Sequence, residues 1–287
     1  MTFKMTRVLC GVLVAQGLGL CAQNVAAQER DAVLASHWEL PKAAPALSSD
    51  CRTKTVAGEA FRRPLRGLRR AVRAGRDPRV LAIGSSSTVG VGASGPTATY
   101  IAKLETNLEA AFKGADFDVI GRGMSGEVAE GQSARMRREI DETKPDLVLW
   151  QVGTNDAIRH VDLDSFRVCL KRTLAWLIEN KFDVVLVDPQ YGEKLASDDY
   201  YARTVTVIAD VAREMRVLLV DRFAAMKELA SVRGDRFYLT SDDLHLNDTG
   251  HRCMAEQLAR AIVAGVLQAE TETTAAEIVL PKSEIDK

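Results

Sequence analysis

The chain has 287 residues, 46% of them hydrophobic and 27% charged, with a formal net charge of −1. This is the composition of a globular protein with enough apolar residues for one α/β domain of ordinary size or two small ones, so a chain too polar to bury a core is excluded. The near-neutral total gives no reason to expect a nucleic-acid partner.

At the start, Lys4 and Arg7 precede the apolar stretch Val8 to Ala22, and Val25-Ala26-Ala27 closes the segment with small residues. That three-part order predicts a secretory signal peptide over 1–27 with cleavage after Ala27, because the apolar stretch falls short of the ~20 residues of a membrane span. Leu20 stands where a small residue precedes a lipidated cysteine, so lipidation of Cys21 is not expected. The mature chain is therefore expected to be exported, periplasmic or secreted.

Residues 28–60 carry Pro41, Pro45, Ser48, Ser49 and many alanines without a sustained period, and Arg62 to Arg79 holds eight arginines in 18 residues. The expectation is an extended, Arg-rich N-terminal arm over 28–78. It offers a contact for an anionic envelope surface, polysaccharide or lipid headgroup; the alternative is a solvated helix face partly paired with carboxylates.

Five short apolar runs follow: Val80 to Ile83, Phe117 to Ile120, Leu147 to Val152, Val184 to Val187 and Val217 to Val220. Short, near-continuous apolar runs are expected of strands covered on both faces. Helical patterns lie between and after them, at 97–113, 130–143, 164–180, 198–215 and 249–267. The alternation predicts an α/β fold, a three-layer α/β/α sandwich with a central five-stranded parallel sheet, over 79–268. The polar residues 269–287 read as a frayed tail.

Cys10 and Cys21 would leave with the leader. Cys169 sits in the helical pattern Phe166, Cys169, Leu170, Leu174 and reads as buried filler, so elimination favours a Cys51 to Cys253 disulfide over three unbonded thiols.

In a parallel sheet the loops after the strands share one edge, where ligands bind. After the first run comes Gly84-Ser85-Ser86-Ser87-Thr88-Val89-Gly90; after the second, Gly121-Arg122-Gly123-Met124-Ser125-Gly126; after the third, Gly153-Thr154-Asn155-Asp156. Beyond the fifth and a helical segment at 222–232 comes Ser241-Asp242-Asp243-Leu244-His245-Leu246-Asn247. A serine hydroxyl needs a base to become a nucleophile, and a histidine oriented by a carboxylate supplies one. Asp242 and His245 are three apart, within reach across a single turn. Glycine-rich backbone and an asparagine amide can stabilise an oxyanion, and Gly126, Asn155 and the Ser86 backbone are the candidates.

These blocks resemble those of the SGNH hydrolase (GDSL-like esterase/lipase) family, in family order across residues 84–250. The first block resembles Gly-Asp-Ser-x-Thr-x-Gly through Gly84, Ser85, Ser86, Thr88 and Gly90. Gly126 matches the second block's oxyanion glycine, Gly153, Asn155 and Asp156 the third block's Gly-x-Asn-Asp, and Asp242 and His245 the fifth block's Asp-x-x-His. Ser85 replaces the usual aspartate, Gly121 an asparagine and Leu246 a proline. The resemblance implies Ser86 as nucleophile, His245 as base, Asp242 as its orienting carboxylate, and an oxyanion hole from Ser86, Gly126 and Asn155, with no metal or organic cofactor.

Other polar residues have plainer expectations. Ser85 and Ser87 would cap or bond locally, Asp156 would brace its loop, and Asp243 would be a loop carboxylate. His160 is expected at the rim or in solvent and His251 on the surface. Gln190, like Gln151, could touch substrate or satisfy buried backbone. A metal site from Asp242, Asp243, His245 and His251 would leave the serine, glycine and asparagine blocks unexplained. The dinucleotide-like Gly90 to Gly95 pattern does not directly follow its strand.

The expected protein is an exported serine esterase acting on short-acyl, chiefly acetyl, esters of a small molecule or polysaccharide. Alternatives are a carbohydrate O-acetyltransferase, a lipid esterase, or a catalytically silent carbohydrate-binding protein.

Overall fold

Each apolar run becomes a strand whose alternate side chains feed two different cores. In the computed structural model, which describes residues 39–54, 63–234 and 238–279, the strands are β1 (Arg79–Gly84), β2 (Asp118–Gly123), β3 (Leu147–Gln151), β4 (Asp183–Val187) and β5 (Leu218–Val220). They pair in the order β2-β1-β3-β4-β5, every pair parallel. The predicted signal peptide and its cleavage site lie outside the described residues.

Val80, Ala82, Leu147, Leu149, Val185 and Val187 point into one core, which takes its helical side from α1 (Arg66–Arg73), α3 (Tyr100–Ala111), α9 (Arg222–Arg233) and α10 (Asp248–Val279). Leu81, Ile83, Val148, Trp150, Val184 and Leu186 point the other way, against α4 (Ala129–Thr143), α6 (Leu163–Glu179) and α8 (Asp199–Met215). Two-residue periodicity in the strands thus produces the expected three layers. Three short helices, α2 (Ser86–Val89), α5 (Thr154–Ile158) and α7 (Glu193–Ala196), sit after β1, β3 and β4 at the carboxyl edge. No described helix is long and apolar enough to cross a membrane.

β2 runs further than expected. Gly121, Arg122 and Gly123 pair with Ala82, Ile83 and Gly84 rather than forming a loop. A Cβ on Gly123 would lie 2.5 Å from Val89 N and 2.9 Å from Ser85 O, so a strand end without side chains is what lets α2 rest on the sheet.

The Arg-rich segment is likewise not an extended arm. Residues 66–73 form α1, with Leu65, Leu68, Ala71 and Val72 buried. Its N-terminus has no cap of its own, and Asp183 Oδ2 accepts from Leu68 N at 2.9 Å. The arginines outside meet carboxylates: Arg66 with Glu272, Arg69 and Arg73 with Glu270, and Arg76 with Asp146. The tail is corrected with it, because α10 continues to Val279 and supplies Glu270 and Glu272, while residues 280–287 lie outside the described residues. Ahead of α1, residues 39–54 follow α10: Cys51 is disulfide-bonded to Cys253, Asp50 pairs with Arg252, and Ser48 N donates to Glu256. Cys169 is a buried free thiol.

Candidate active site

Among the three adjacent serines, burial separates one from two. Ser85 and Ser87 are each 3% exposed, whereas Ser86, the first residue of α2, keeps partial access to solvent. Ser85 is held from below: its backbone N–H and its hydroxyl donate to Gln151 Oε1 at 3.0 and 3.3 Å. Ser87 Oγ accepts from Arg222 at 3.4 Å, and Thr88 Oγ1 lies 2.8 Å from the Tyr100 hydroxyl. The neighbours are therefore spent on anchoring the turn, and only Ser86 is presented at the edge.

His245, the expected base, is held by Asp242. Its Nδ1 lies 2.7 Å from Asp242 Oδ2, and its backbone N–H donates to Oδ1 of the same carboxylate at 2.6 Å. Leu244 N also donates to Oδ1, at 3.1 Å. Burial alone would raise the Asp242 carboxyl, but these hydrogen bonds and the imidazole outweigh it and hold the group below the usual range. An ionised Asp242 fixes Nδ1 as the protonated nitrogen and leaves Nε2 as the proton acceptor. The loop is closed by the Thr240–Leu246 bridge and by Ser241 N donating to His245 O at 2.8 Å. It also abuts the chain that continues from Ser86, since a Cβ on Gly92 would fall 2.2 Å from Leu246 O and 3.2 Å from His245 Cβ.

The predicted oxyanion contributors Asn155 and Gly126 are linked through Glu127. Asn155 Nδ2 donates to Glu127 O at 3.0 Å, next to Gly126, whose φ of +77° suits glycine. Beside Asn155, Asp156 is buried and accepts from Ala129 N at 3.0 and 3.2 Å, so it caps α4, which has no side-chain cap of its own. Burial pushes Asp156 up to about 6. Arg135 on α4 ties the turn to the sheet through Gly84 O, Arg122 O and Glu127.

The remaining candidates disperse. Asp243 caps α7 through Glu193 N and Lys194 N. His160 is exposed beside Asp198 and stacks on Tyr200. His251, expected on the surface, is fully buried: its Nδ1 accepts from Tyr100 N at 3.1 Å and its Nε2 faces Val91 O at 3.4 Å. Burial depresses its pKa, and the neutral ring tethers the segment after Ser86 to α3. Gln190 is 1% exposed and its amide is engaged by Thr154, Arg222 and Leu244. Sequence reasoning missed Arg135 and Arg222 as supports of the site; an arginine in a helix defaults to the surface, and nothing in the spacing announces burial.

The sequence matches the family described as Non-GDSL lipase-like over residues 50–268. The chain belongs to the Non-GDSL lipase-like family. Among relatives of this family member is an acetylxylan esterase from Geobacillus stearothermophilus, 27% identical over 212 residues that cover 66% of this chain and 95% of the relative. An arylesterase from Vibrio mimicus is 27% identical over 154 residues, covering 52% of this chain and 72% of the relative. Solved variants of an acetylxylan esterase from Geobacillus stearothermophilus match with TM-score 0.55 and 24% identity over 64% of this chain and 94% of theirs; they are titled catalytic mutants at a serine, an aspartate, and a histidine three residues beyond the aspartate. This Non-GDSL lipase-like protein is an SGNH/GDSL-like hydrolase of ester bonds.

Proposed function

We propose that this protein is an exported serine esterase that removes short acyl groups, chiefly acetyl, from carbohydrate esters. His245 Nε2 takes the proton of Ser86 Oγ as that oxygen attacks the ester carbonyl. Asp242, 2.7 Å from Nδ1, stabilises the imidazolium that results. The Ser86 N–H at the start of α2, the Gly126 N–H and the free Asn155 N–H take the negative charge of the tetrahedral oxygen. The proton passes to the leaving sugar hydroxyl, and an acyl-Ser86 intermediate remains. Water then repeats the sequence, with His245 again as base, and acetate leaves.

The observation that carries this reading is the Asp242–His245 pair closed at 2.7 Å on a loop packed against the continuation of the Ser86 turn. The acetylxylan esterase relatives support the acetyl and carbohydrate assignment, and their catalytic Ser, Asp and His, with the same three-residue step, support the roles. Export is supported by the N-terminal leader and by the Cys51–Cys253 disulfide, which suits an oxidising compartment.

Acetate release from acetylated xylan, and hydrolysis of p-nitrophenyl esters of increasing chain length, test the activity. Ser86→Ala is expected to reduce turnover at least ~10³-fold in folded protein; undiminished turnover would remove Ser86 from the mechanism. Acetyl transfer to an added sugar in excess of acetate release would make the protein a transferase instead. Mass spectrometry of the protein from cell fractions is expected to find an N-terminus at Gln28 outside the cytoplasm.

A further inference from the structure

A buried polar junction joins the three loops that carry the proposed catalytic groups. Arg222, the first residue of α9, is 1% exposed. Its Nε donates to Asp188 O at 3.0 Å and its Nη2 to Gln190 Oε1 at 2.8 Å, while Nη1 reaches Ser87 Oγ at 3.4 Å. Gln190 Oε1 also accepts from Thr154 Oγ1 at 2.9 Å, and its Nε2 donates to Leu244 O at 2.9 Å. The orientation of the amide is dictated by chemistry: a guanidinium only donates and a carbonyl only accepts, so oxygen must face Arg222 and nitrogen must face Leu244.

The contacts fall at telling positions. Ser87 follows Ser86, Thr154 precedes Asn155, and Leu244 precedes His245. One side-chain pair thus grips the chain neighbour of the nucleophile, of the oxyanion amide and of the base. We infer that Gln190 and Arg222 form a positioning unit that fixes Ser86, Asn155 and His245 relative to one another, and so sets kcat rather than substrate affinity. The inference rests on the catalytic roles proposed above.

Two properties make the junction stiff. The guanidinium meets neutral oxygens, the Asp188 backbone carbonyl, the Gln190 amide and the Ser87 hydroxyl. Hydrogen bonds from a charged donor are stronger than neutral ones, and losing one leaves a buried charge undersatisfied. Gln190 in turn has both lone-pair directions of Oε1 filled and its Nε2 engaged, and its own carbonyl accepts from Tyr201 at 2.7 Å. At 1% exposure it has no surface to offer a substrate.

Gln190→Glu separates positioning from binding. The carboxylate keeps oxygens for Arg222 and Thr154 but cannot donate to Leu244 O, and it places negative charge against that carbonyl. With p-nitrophenyl acetate, kcat is expected to fall about 10- to 100-fold with KM within about twofold of wild type. Labelling of Ser86 by a fluorophosphonate is expected to slow by a similar factor, since it too depends on His245. A raised KM with unchanged kcat and labelling would make Gln190 a substrate contact and overturn the inference; so would unchanged values throughout. If Gln190→Glu does not fold, Ser87→Ala and Thr154→Val each remove a single contact and are expected to lower kcat about 3- to 10-fold without raising KM; full kcat in both overturns the inference. Wild-type protein that hydrolyses the ester without labelling at Ser86 would instead overturn the catalytic assignment itself.

Discussion

The loops that carry the proposed catalytic groups and the strap along α10 are held by different means. The loops are pinned by three amides, two of them buried, and a buried carboxyl that bond to backbone: Gln151 to Ser85, Gln190 to Leu244, Asn155 to Glu127, Asp156 to Ala129. The strap, residues 39–54 with α1, is held by the apolar face of α1, a disulfide, one half-buried carboxyl and a row of largely exposed ion pairs. Buried hydrogen bonds are directional and penalise misplacement, whereas a cross-link and surface charges stabilise without fixing atoms to a fraction of an ångström. The difference is expected wherever one region must hold a geometry and the other need only stay attached.

The comparison is broken most severely from the catalytic side. Asn155→Ala removes the proposed oxyanion donor together with the bond to Glu127 O and is expected to lower kcat about 10²- to 10³-fold at a stability cost of only about 1 kcal/mol; steady-state kinetics beside a melting curve check both halves. On the strap, Cys51→Ser is expected to cost about 2–5 kcal/mol in chemical denaturation while kcat/KM of the folded protein is retained. Equal losses of activity from the two variants would erase the distinction.

A smaller effect sharpens what the regions share. Asp183 and Asp156 each cap a helix that lacks its own cap, and burial raises both to about 6. A carboxyl whose folded pKa lies above its unfolded value near 3.8 contributes stability that is complete below that value and is lost as the pH rises through 6. Each contributes ~2–3 kcal/mol to that fall. Asn at position 183 still accepts from Leu68 N, so Asp183→Asn is expected to make the decline between pH 4 and 7 shallower than in the wild type; denaturant melts across that range measure it. Smallest of all, Arg69→Ala is expected to cost under ~1 kcal/mol, less in high salt.

The sheet was legible because strands covered on both faces must be apolar throughout, and each run maps to its strand within one residue except at the end of β2, which runs three residues further. The misread places share a cause: the partner that decides the conformation lies far away in sequence. Gly121 to Gly123 look like a loop until α2 is placed against them. Leu65, Leu68 and Val72 have helical spacing, but the arginines between them hide a face that α10 and β4, far away in sequence, cover. At the site, Ser86, Asp242, His245, Gly126 and Asn155 were nominated because chemistry restricts which residue types can serve. Their supports were not: Arg222 and His251 are buried against local expectation, and the burial of Ser85 and Ser87 that distinguishes Ser86 is a property of packing.

The contact of α2 with the bare end of β2 also bears on how such a protein can change over evolutionary time. Ser85 stands where the GDSL motif has an aspartate, and its place is kept by Gln151. No comparable exchange is open at position 123, where the first carbon of any side chain would displace the backbone of Val89 and with it the turn that presents Ser86. Drift can rewrite the letters of the motif, but it must pass around that glycine.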